Sequence, residues 1–304
     1  MENRRRNIRK DLASQISSIV SSLKLDEPLK KHTTFKIGGP ARYFVEAANK
    51  KEIQNLWNFT HKERLPLFVL GGGSNILVSD RGFDGVVVRL TGEFKDFVFQ
   101  AEKLVAGCGV SLAKIVNECV QRGLSGIEYL AGIPGTLGGA IVGNAGSSDA
   151  WIEDIINSVK AINENGQIAE ILKKDILFRY RVTNLEKKVL LESTLNLKKS
   201  TKNDIVKKIK ENTDRRLESQ PIESWNAGSI FKNPQGDYAG RLIEQAGLKG
   251  LKFGGAKISE KHANFIINSG DAKSSDVLEL IKVVRHKVKE KFGIDLELEI
   301  KIIG

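Results

Sequence analysis

Residues 65–90 read LPLFVLGGGSNILVSDRGFDGVVVRL, and the order of apolar runs and glycines in them decides the fold class. LPLFVL, ILVS and GVVVRL have the length and β-branched content of strands, and the residues between them are turn formers. Strands on both sides of Gly71, Gly72 and Gly73 mean that this glycine run does not open a helix. A dinucleotide fingerprint needs G-x-G-x-x-G between a strand and a helix, and a P-loop needs Gly-Lys-Ser/Thr; the segment is neither.

Working outward, NKKEIQNLWNFTHKERLP (49–66) reads as a helix, with Asn49 as N-cap, Glu52 three residues on, and Ile53, Leu56, Trp57 and Thr60 at helical spacing. AEKLVAGCGV continues as strand, and SLAKIVNECVQRGL is a helix capped by Ser111 and stopped at Gly123. SVKAIN and QIAEIL flank an Asn165-Gly166 turn as a hairpin. Residues 202–218 form a charged helix at a seam in the chain, and 238–247 and 274–292 are further helices, the last with Val277, Leu280, Ile281, Val284 and Val288 on one face. Strands and helices without a regular βαβ rhythm predict an α+β fold.

Composition narrows the partners. The 304 residues suffice for two or three domains, and 48 Lys+Arg against 37 Asp+Glu leave +11, which favours nucleic acid, anionic lipid or small molecules with several phosphates. With 7 % aromatics, no interleaved aromatic and basic run and no nucleic-acid module, nucleic acid is not the expected partner. The opening MENRRRNIRKDLASQISSIVSSL interleaves apolar with polar residues and reads as a surface helix, not a signal peptide. LAGIPGTLGGAIVGNAG (130–146) is shorter than a roughly 20-residue membrane span and, with its six glycines and one proline, reads as a loop system. No membrane association and no obligate protein partner are expected. Two cysteines, Cys108 and Cys119, indicate neither a disulfide framework nor a thiolate metal site, which places the chain in a reducing cytoplasm. His32, His61, His262 and His286 show no metal-ligand spacing, so no protein-bound metal is expected.

Glycine-rich loops bring main-chain N–H groups close to anions. Two such regions, 71–78 and 131–146, beside a basic balance, point to a bound dinucleotide. NAGSIFKNP (226–234) carries Ser229 with no histidine near in sequence. From the residues alone Ser229 satisfies a turn, Arg181 in FRYRV makes a surface ion pair, and Glu299 in DLELEIKII sits on the polar face of a half-buried strand whose apolar face is Leu296, Leu298, Ile300 and Ile302. On that periodicity Glu297 serves as well as Glu299.

TTFKIGGPA (33–41), LFVLGGGSNILV, LAGIPGTLGGAIVGNAG, FRYR (178–181), AGSIFKNP, AGRLIEQAGLKG, GGAKISEKHANFIIN and LELEIKIIG occur in the order and wording of the flavoprotein UDP-N-acetylenolpyruvoylglucosamine reductase (MurB) family, which the chain resembles from about residue 30 onward. Fewer than fifty residues separate Arg181 from Ser229, so the match is to the shorter subtype without an inserted tyrosine-bearing loop. The resemblance implies an α+β FAD-binding fold of the vanillyl-alcohol-oxidase (PCMH) type over 1–200, in subdomains of about 1–90 and 91–200. It also implies a smaller α+β substrate-binding domain over 201–295 and a last strand, 296–304, with a catalytic glutamate. It implies reduction of an enolpyruvyl ether on a UDP-sugar, with FAD bound and NADPH as co-substrate.

By the same resemblance, Gly71, Gly72, Gly73, Ser74 and Asn75, together with Ile133, Pro134, Gly135, Thr136, Gly138, Gly139, Asn144, Ala145 and Gly146, hold the cofactor. Ser229 is the proton donor, Arg181 and Glu299 bind and polarise the substrate carboxylate, and Lys232, Asn233, Arg215 and His262 contact the UDP-sugar, with Arg216 and Lys257 as further contacts. A different FAD-dependent oxidase or dehydrogenase on the same scaffold is the alternative. Three departures from the family wording put the loop geometry near the flavin in question: Arg179 where glycine is usual, Thr183 where serine is usual, and NAGSSDAW without a glycine-aromatic-glycine.

Overall fold

The computed structural model describes residues 2–147 and 150–304. Its contacts gather into two compact units built from interleaved segments. One comprises Met1–Glu27, Ala41–Gly71 and Asp84–Asn212, the other Pro28–Pro40, Gly72–Phe83 and Thr213–Gly304. The boundaries expected at 90, 200 and 295 are linear, whereas the second unit also takes two pieces from the first ninety residues.

The three strands around Gly71–Gly73 explain the interleaving. Leu67–Val69 pairs parallel with Val86–Val88, and parallel neighbours require a crossover rather than a tight turn. The crossover here contains the segment Gly72–Phe83 of the second unit, whose strand Ile76–Val78 pairs parallel with Lys301–Ile303. In the first unit, a four-stranded sheet runs in the order Leu23–Pro28, Pro40–Ala47, Phe83–Leu90, Leu67–Val69. An antiparallel five-stranded sheet runs Ile168–Leu172, Ile156–Ile162, Val189–Asn196, Lys103–Gly107, Phe97–Gln100.

The helix caps are those the sequence signals. Asn49 Oδ1 accepts from Glu52 N–H at 3.0 Å, Ser111 Oγ from Lys114 N–H at 3.3 Å, and Gly123 closes its helix at φ 65°. The helix Leu112–Arg122 buries Leu112, Ile115, Val116 and Cys119 at i, i+3, i+4 and i+7 in the same core as Val159 and Leu195.

In the second unit an antiparallel sheet runs Trp225–Ser229, Phe265–Asn268, Ala256–Ile258, Lys252–Phe253. The helix Ser274–Phe292 contributes Val277, Leu280, Ile281, Val284 and Val288 to a core shared with Ile230, Phe231, Leu242 and Ile266. Each such side chain contributes about 1.5–3 kcal/mol on full burial. The N-terminus of this helix is tied to Asp80, whose carboxylate accepts from Ser274 N–H at 2.8 Å and Ser275 N–H at 3.2 Å, while Asp80 N–H donates to Ser274 Oγ at 2.9 Å.

Two expectations are corrected. The second glycine region contains a short helix, Leu137–Val142, because Thr136 Oγ1 accepts from Gly139 N–H at 3.3 Å and caps it. Ile302, placed on one apolar face by alternation, is 45 % exposed, because the second core reached by Leu296, Leu298 and Ile300 ends before it.

Candidate active site

Ser229 owes its setting to a bulge. Strand Trp225–Ser229 pairs with Phe265–Asn268, and the register shifts between Asn226 and Ser229. The extra residue at the shift bends the strand and re-aims the side chains beyond it. Gly228 takes φ 76°, which a side chain would oppose, and the Asn226 amide braces it: Oδ1 accepts from Gly228 N–H at 2.9 Å and Nδ2 donates to Ser224 O at 2.8 Å. Thr34 Oγ1, from the TTFKIGG stretch, donates to Asn226 O at 2.7 Å. Ser229 itself is half-buried.

Beyond Ser229 the chain is held by Asn264, 3 % exposed. Its Oδ1 accepts from Phe231 N–H at 2.9 Å and its Nδ2 donates to Phe231 O at 2.8 Å, so one side chain imitates a strand. The other edge is completed by the last segment of the chain. Glu299 N–H donates to Ile230 O and Lys232 N–H to Glu297 O, both at 2.8 Å. On the far side of that segment, Lys301 N–H donates to Asn75 O at 3.0 Å and Asn75 Nδ2 to Glu299 O at 3.2 Å. The second unit therefore places AGSIFKN, LELEIKII and GGSNILV side by side. Gly73 belongs to the same arrangement: at φ 64° an added Cβ would lie 2.2 Å from His32 O.

The two glutamates that periodicity could not separate have different surroundings. Glu297 is exposed and paired with Lys232 at 3.3 Å, whereas Glu299 is half-buried. Asn233 Oδ1 accepts from Ala239 N–H at 3.1 Å and so starts the helix Ala239–Gln245. His262 Nδ1 accepts from Asn264 N–H at 3.2 Å, and its ring lies edge-on to Phe265 with centroids 4.9 Å apart. Burial, with the charge of Lys249, holds the His262 imidazole below its ordinary pKa. Arg215 is an exposed residue of the helix Lys202–Ser219, and Lys257 pairs with Glu260 at 2.5 Å.

The first unit holds the remaining candidates. An added Cβ at Gly71 would lie 2.7 Å from Thr136 Oγ1, so the two glycine regions meet there. The loop before the short helix is pinned by Leu112 N–H to Gly135 O at 3.1 Å, and by Leu137 N–H to Val110 O and Gly138 N–H to Cys108 O, both at 2.9 Å. Pinned this way, Gly138 serves by close packing: its Cβ would meet Cys108 Cβ at 3.0 Å. Ile133 N–H donates to Leu130 O at 3.1 Å, and Pro134 comes next in the same loop. After the helix, Ala145 N–H donates to Ala140 O at 2.8 Å, and Gly146 bridges to Trp151.

Arg181 lies in the two-residue turn Tyr180–Arg181 of a hairpin between Phe178–Arg179 and Val182–Thr183, at φ 60°. Its guanidinium donates to Gly146 O at 3.2 Å and stands over the rings of Trp151, at 5.3 Å, and Tyr180, at 5.5 Å. These contacts tie Arg181 to Gly146 and Trp151. The departures at Arg179 and Thr183 are accommodated: Arg179 is exposed and not among the positive-φ residues, so glycine is not required, and Thr183 Oγ1 donates to Val142 O at 3.0 Å. Ser148 and Asp149 of NAGSSDAW lie outside the described residues. Sequence reasoning missed Asn226, Asn264, Glu153 and Trp151. A polar residue used inside the fold has the same sequence appearance as one in a solvated loop.

A family model described as UDP-N-acetylenolpyruvoylglucosamine reductase, C-terminal domain, matches residues 220–303, and one described as FAD binding domain matches residues 41–172. A UDP-N-acetylenolpyruvoylglucosamine reductase from Caldanaerobacter subterraneus subsp. tengcongensis is 45 % identical over 93 % of this chain and 94 % of its own. The chain belongs to the UDP-N-acetylenolpyruvoylglucosamine reductase family. Within that family, reductase 2 of Symbiobacterium thermophilum is 42 % identical over 96 % of this chain and 97 % of its own. The crystal structure of the Thermus caldophilus reductase (MurB) superposes with a TM-score of 0.80 at 36 % identity, covering 93 % of this chain and 98 % of that one. The fold class is accordingly α+β with a FAD-binding domain. Among the described residues no helix is long and apolar enough to cross a membrane.

Proposed function

We propose that this protein is a FAD-dependent UDP-N-acetylenolpyruvoylglucosamine reductase that uses NADPH and forms UDP-N-acetylmuramate for peptidoglycan precursor synthesis. The observation that carries this reading is the extent of the likeness: 45 % identity to a reductase of that name across nearly the whole of both chains. The residues fit the flavin as well. Asn144, 2 % exposed, has a buried Oδ1 without a hydrogen-bond partner among the described residues, in the loop that closes the second glycine region. An acceptor left that way inside a protein is unfavourable unless a ligand donor reaches it.

Held by the Gly71–Asn75 and Ile133–Gly146 segments, FAD would supply the enol double bond of the substrate with hydride drawn from NADPH. The chain's own residues then deal with charge and proton. Hydride addition places negative charge on the carbon beside the carboxylate, so a donor must deliver a proton there and cations must hold the carboxylate. Ser229 is the donor in this reading; giving a proton to a carbanion does not require the neighbouring base that a nucleophilic serine needs. Arg181 holds the carboxylate, and Glu299, carrying its proton in the working state, polarises it by donating a hydrogen bond. Support for choosing Glu299 over Glu297 comes from its half-buried setting and from the Glu299 N–H bond to Ile230, next to Ser229.

Lys232 contacts the UDP phosphates by exchanging Glu297 for the ligand's anion, and Arg215 adds an exposed cation. Asn233 and His262 contribute to the UDP-sugar site mainly through the backbone they hold. The Gly71–Asn75 and Ile133–Gly146 segments cradle the cofactor. The FAD-binding part is assigned to 1–200 and substrate binding to 201–295, with 296–304 as the catalytic strand. A reaction drawing on NADPH and a UDP-sugar places the protein in the cytoplasm.

The test is direct. Purified protein should be yellow with flavin absorbance and should oxidise NADPH only when the enolpyruvyl UDP-sugar is supplied. A colourless protein that cannot be loaded with FAD, or NADPH oxidation indifferent to the UDP-sugar, overturns the proposal.

A further inference from the structure

We propose that Glu153 is a positioning residue that fixes which way round the Asn144 amide stands, so that Asn144 Oδ1 is held as a buried acceptor for an N–H or O–H donor of the bound cofactor. The inference rests on the FAD reading above and assigns a role to a residue outside both glycine regions.

The orientation is set by the neighbours. Asn144 Nδ2 lies 2.8 Å from Glu153 Oε2 and 3.2 Å from Arg179 O. A carboxylate and a peptide carbonyl are acceptors only, and an asparagine amide has its donors on nitrogen alone. The nitrogen must face both of them, and the oxygen is turned to the other side, where no described residue donates to it. The main chain allows no easy escape: Asn144 takes φ 40°, with its N–H donating to Ile141 O at 3.1 Å. A left-handed asparagine spliced between a helix end and the Gly146–Trp151 bridge is constrained from both sides.

Glu153 is itself set in place by the turn that Trp151 begins, where Asp154 Oδ2 accepts from Trp151 N–H at 2.8 Å. The same amide reaches the hairpin of Arg181 through Arg179 O, and the Arg181 guanidinium reaches back to Gly146 O at 3.2 Å. Glu153 therefore determines the polarity of one buried point in the loop: acceptor, not donor. The ligand edge that meets it has to carry hydrogen. Were the amide reversed, a ligand carbonyl would be favoured there instead.

The test is FAD titration of the apoprotein by fluorescence quenching, with the visible flavin spectrum of each loaded form and the melting temperature of each apoprotein. Glu153→Gln keeps an acceptor for Asn144 Nδ2 and should bind FAD within about 3-fold of wild type. Glu153→Lys presents a donor that turns the amide round, and should weaken FAD about 10-fold or more with a shifted flavin band. Asn144→Ala should lose a similar factor, and the double variant Glu153→Lys/Asn144→Ala no more than Asn144→Ala alone.

Both single losses should leave the apoprotein melting temperature within a few degrees of wild type, because a brace needed only for folding would lower melting and affinity together. If Glu153→Lys does not fold, Glu153→Leu replaces it, with a smaller expected loss of about 3- to 10-fold. Wild-type protein that loads FAD while these variants load it equally well, or whose losses add in the double variant, overturns the inference alone. Wild-type protein that takes up no FAD overturns the cofactor reading and this inference with it.

Discussion

The main-chain N–H of Glu299 donates to the carbonyl oxygen of Ile230, the residue after Ser229, at 2.8 Å. Two residues later Lys301 N–H donates to Asn75 O at 3.0 Å. The last strand is thereby held in one register between the segment after Ser229 and the end of the first glycine loop, and a shift of one residue would exchange Glu299 for a leucine or isoleucine.

Ser229→Ala should leave reduction of the bound flavin by NADPH intact and lower product formation by about 10²–10⁴-fold, the range for a lost proton donor. Stopped-flow flavin reduction and product formation measured on the same preparation separate the two steps. A loss confined to FAD binding would refute the proton-donor role.

Glu297 and Glu299 should differ. Glu297→Gln removes an exposed ion pair with Lys232 at 3.3 Å and should change stability by less than about 1 kcal/mol. Glu299→Gln should lower kcat by about 10-fold or more with little change in melting temperature. Equal kinetic effects of the two would show that the half-buried setting of Glu299 has no consequence.

Asn264→Ala leaves Phe231 N–H and Phe231 O, both buried, without their side-chain partner. At about 1–3 kcal/mol per unsatisfied group, roughly 3 kcal/mol of stability should be lost in urea denaturation. Turnover should fall as well, since the segment after Ser229 is no longer held.

Burial raises the Asp80 carboxyl pKa, but hydrogen bonds from Ser274 and Ser275 outweigh it and leave the net value below the ordinary one. A depressed carboxyl stabilises the folded state above its unfolded value, about 3.9, and that contribution fades as pH falls through the lower folded value. Asp80→Ala should cost about 1 kcal/mol at neutral pH, and the difference from wild type should shrink below about pH 4. A difference that stays constant down to pH 2 would contradict the assignment.

His262 is a half-buried base whose charged form is disfavoured. Its pKa is held down by burial and then by Lys249, so the unfolded chain takes up a proton before the folded one does. Stability should therefore fall as pH drops below about 6.5, until the folded pKa is reached. His262→Gln supplies an acceptor without titrating, and its stability should lose that slope below about pH 6.5.

Much of this protein is decided locally and so was legible in the chain. Asn49 with Glu52, Ser111 with Gly123, and the five apolar positions of 274–292 are short-range patterns whose chemistry is complete within one or two turns, and the structure has each of them. The strands flanking Gly71–Gly73 come from alternation and turn residues in the same way. Family membership was legible too, because it rests on the order of several long motifs.

Tertiary structure decided the rest, because it depends on which distant segments share a hydrogen bond. Periodicity puts Glu297 and Glu299 on one polar face, and only pairing with Ile230 and Asn75 gives them different surroundings. Thr136 became a helix cap within a run of glycines because the loop is pinned to Val110 and Cys108, about thirty residues away. Asn264, Asn226 and Asn144 look alike as letters. A brace for the Ser229 strand differs from an acceptor whose oxygen no described residue meets in the set of donors and acceptors that folding brings to each amide, and no local pattern carries that information.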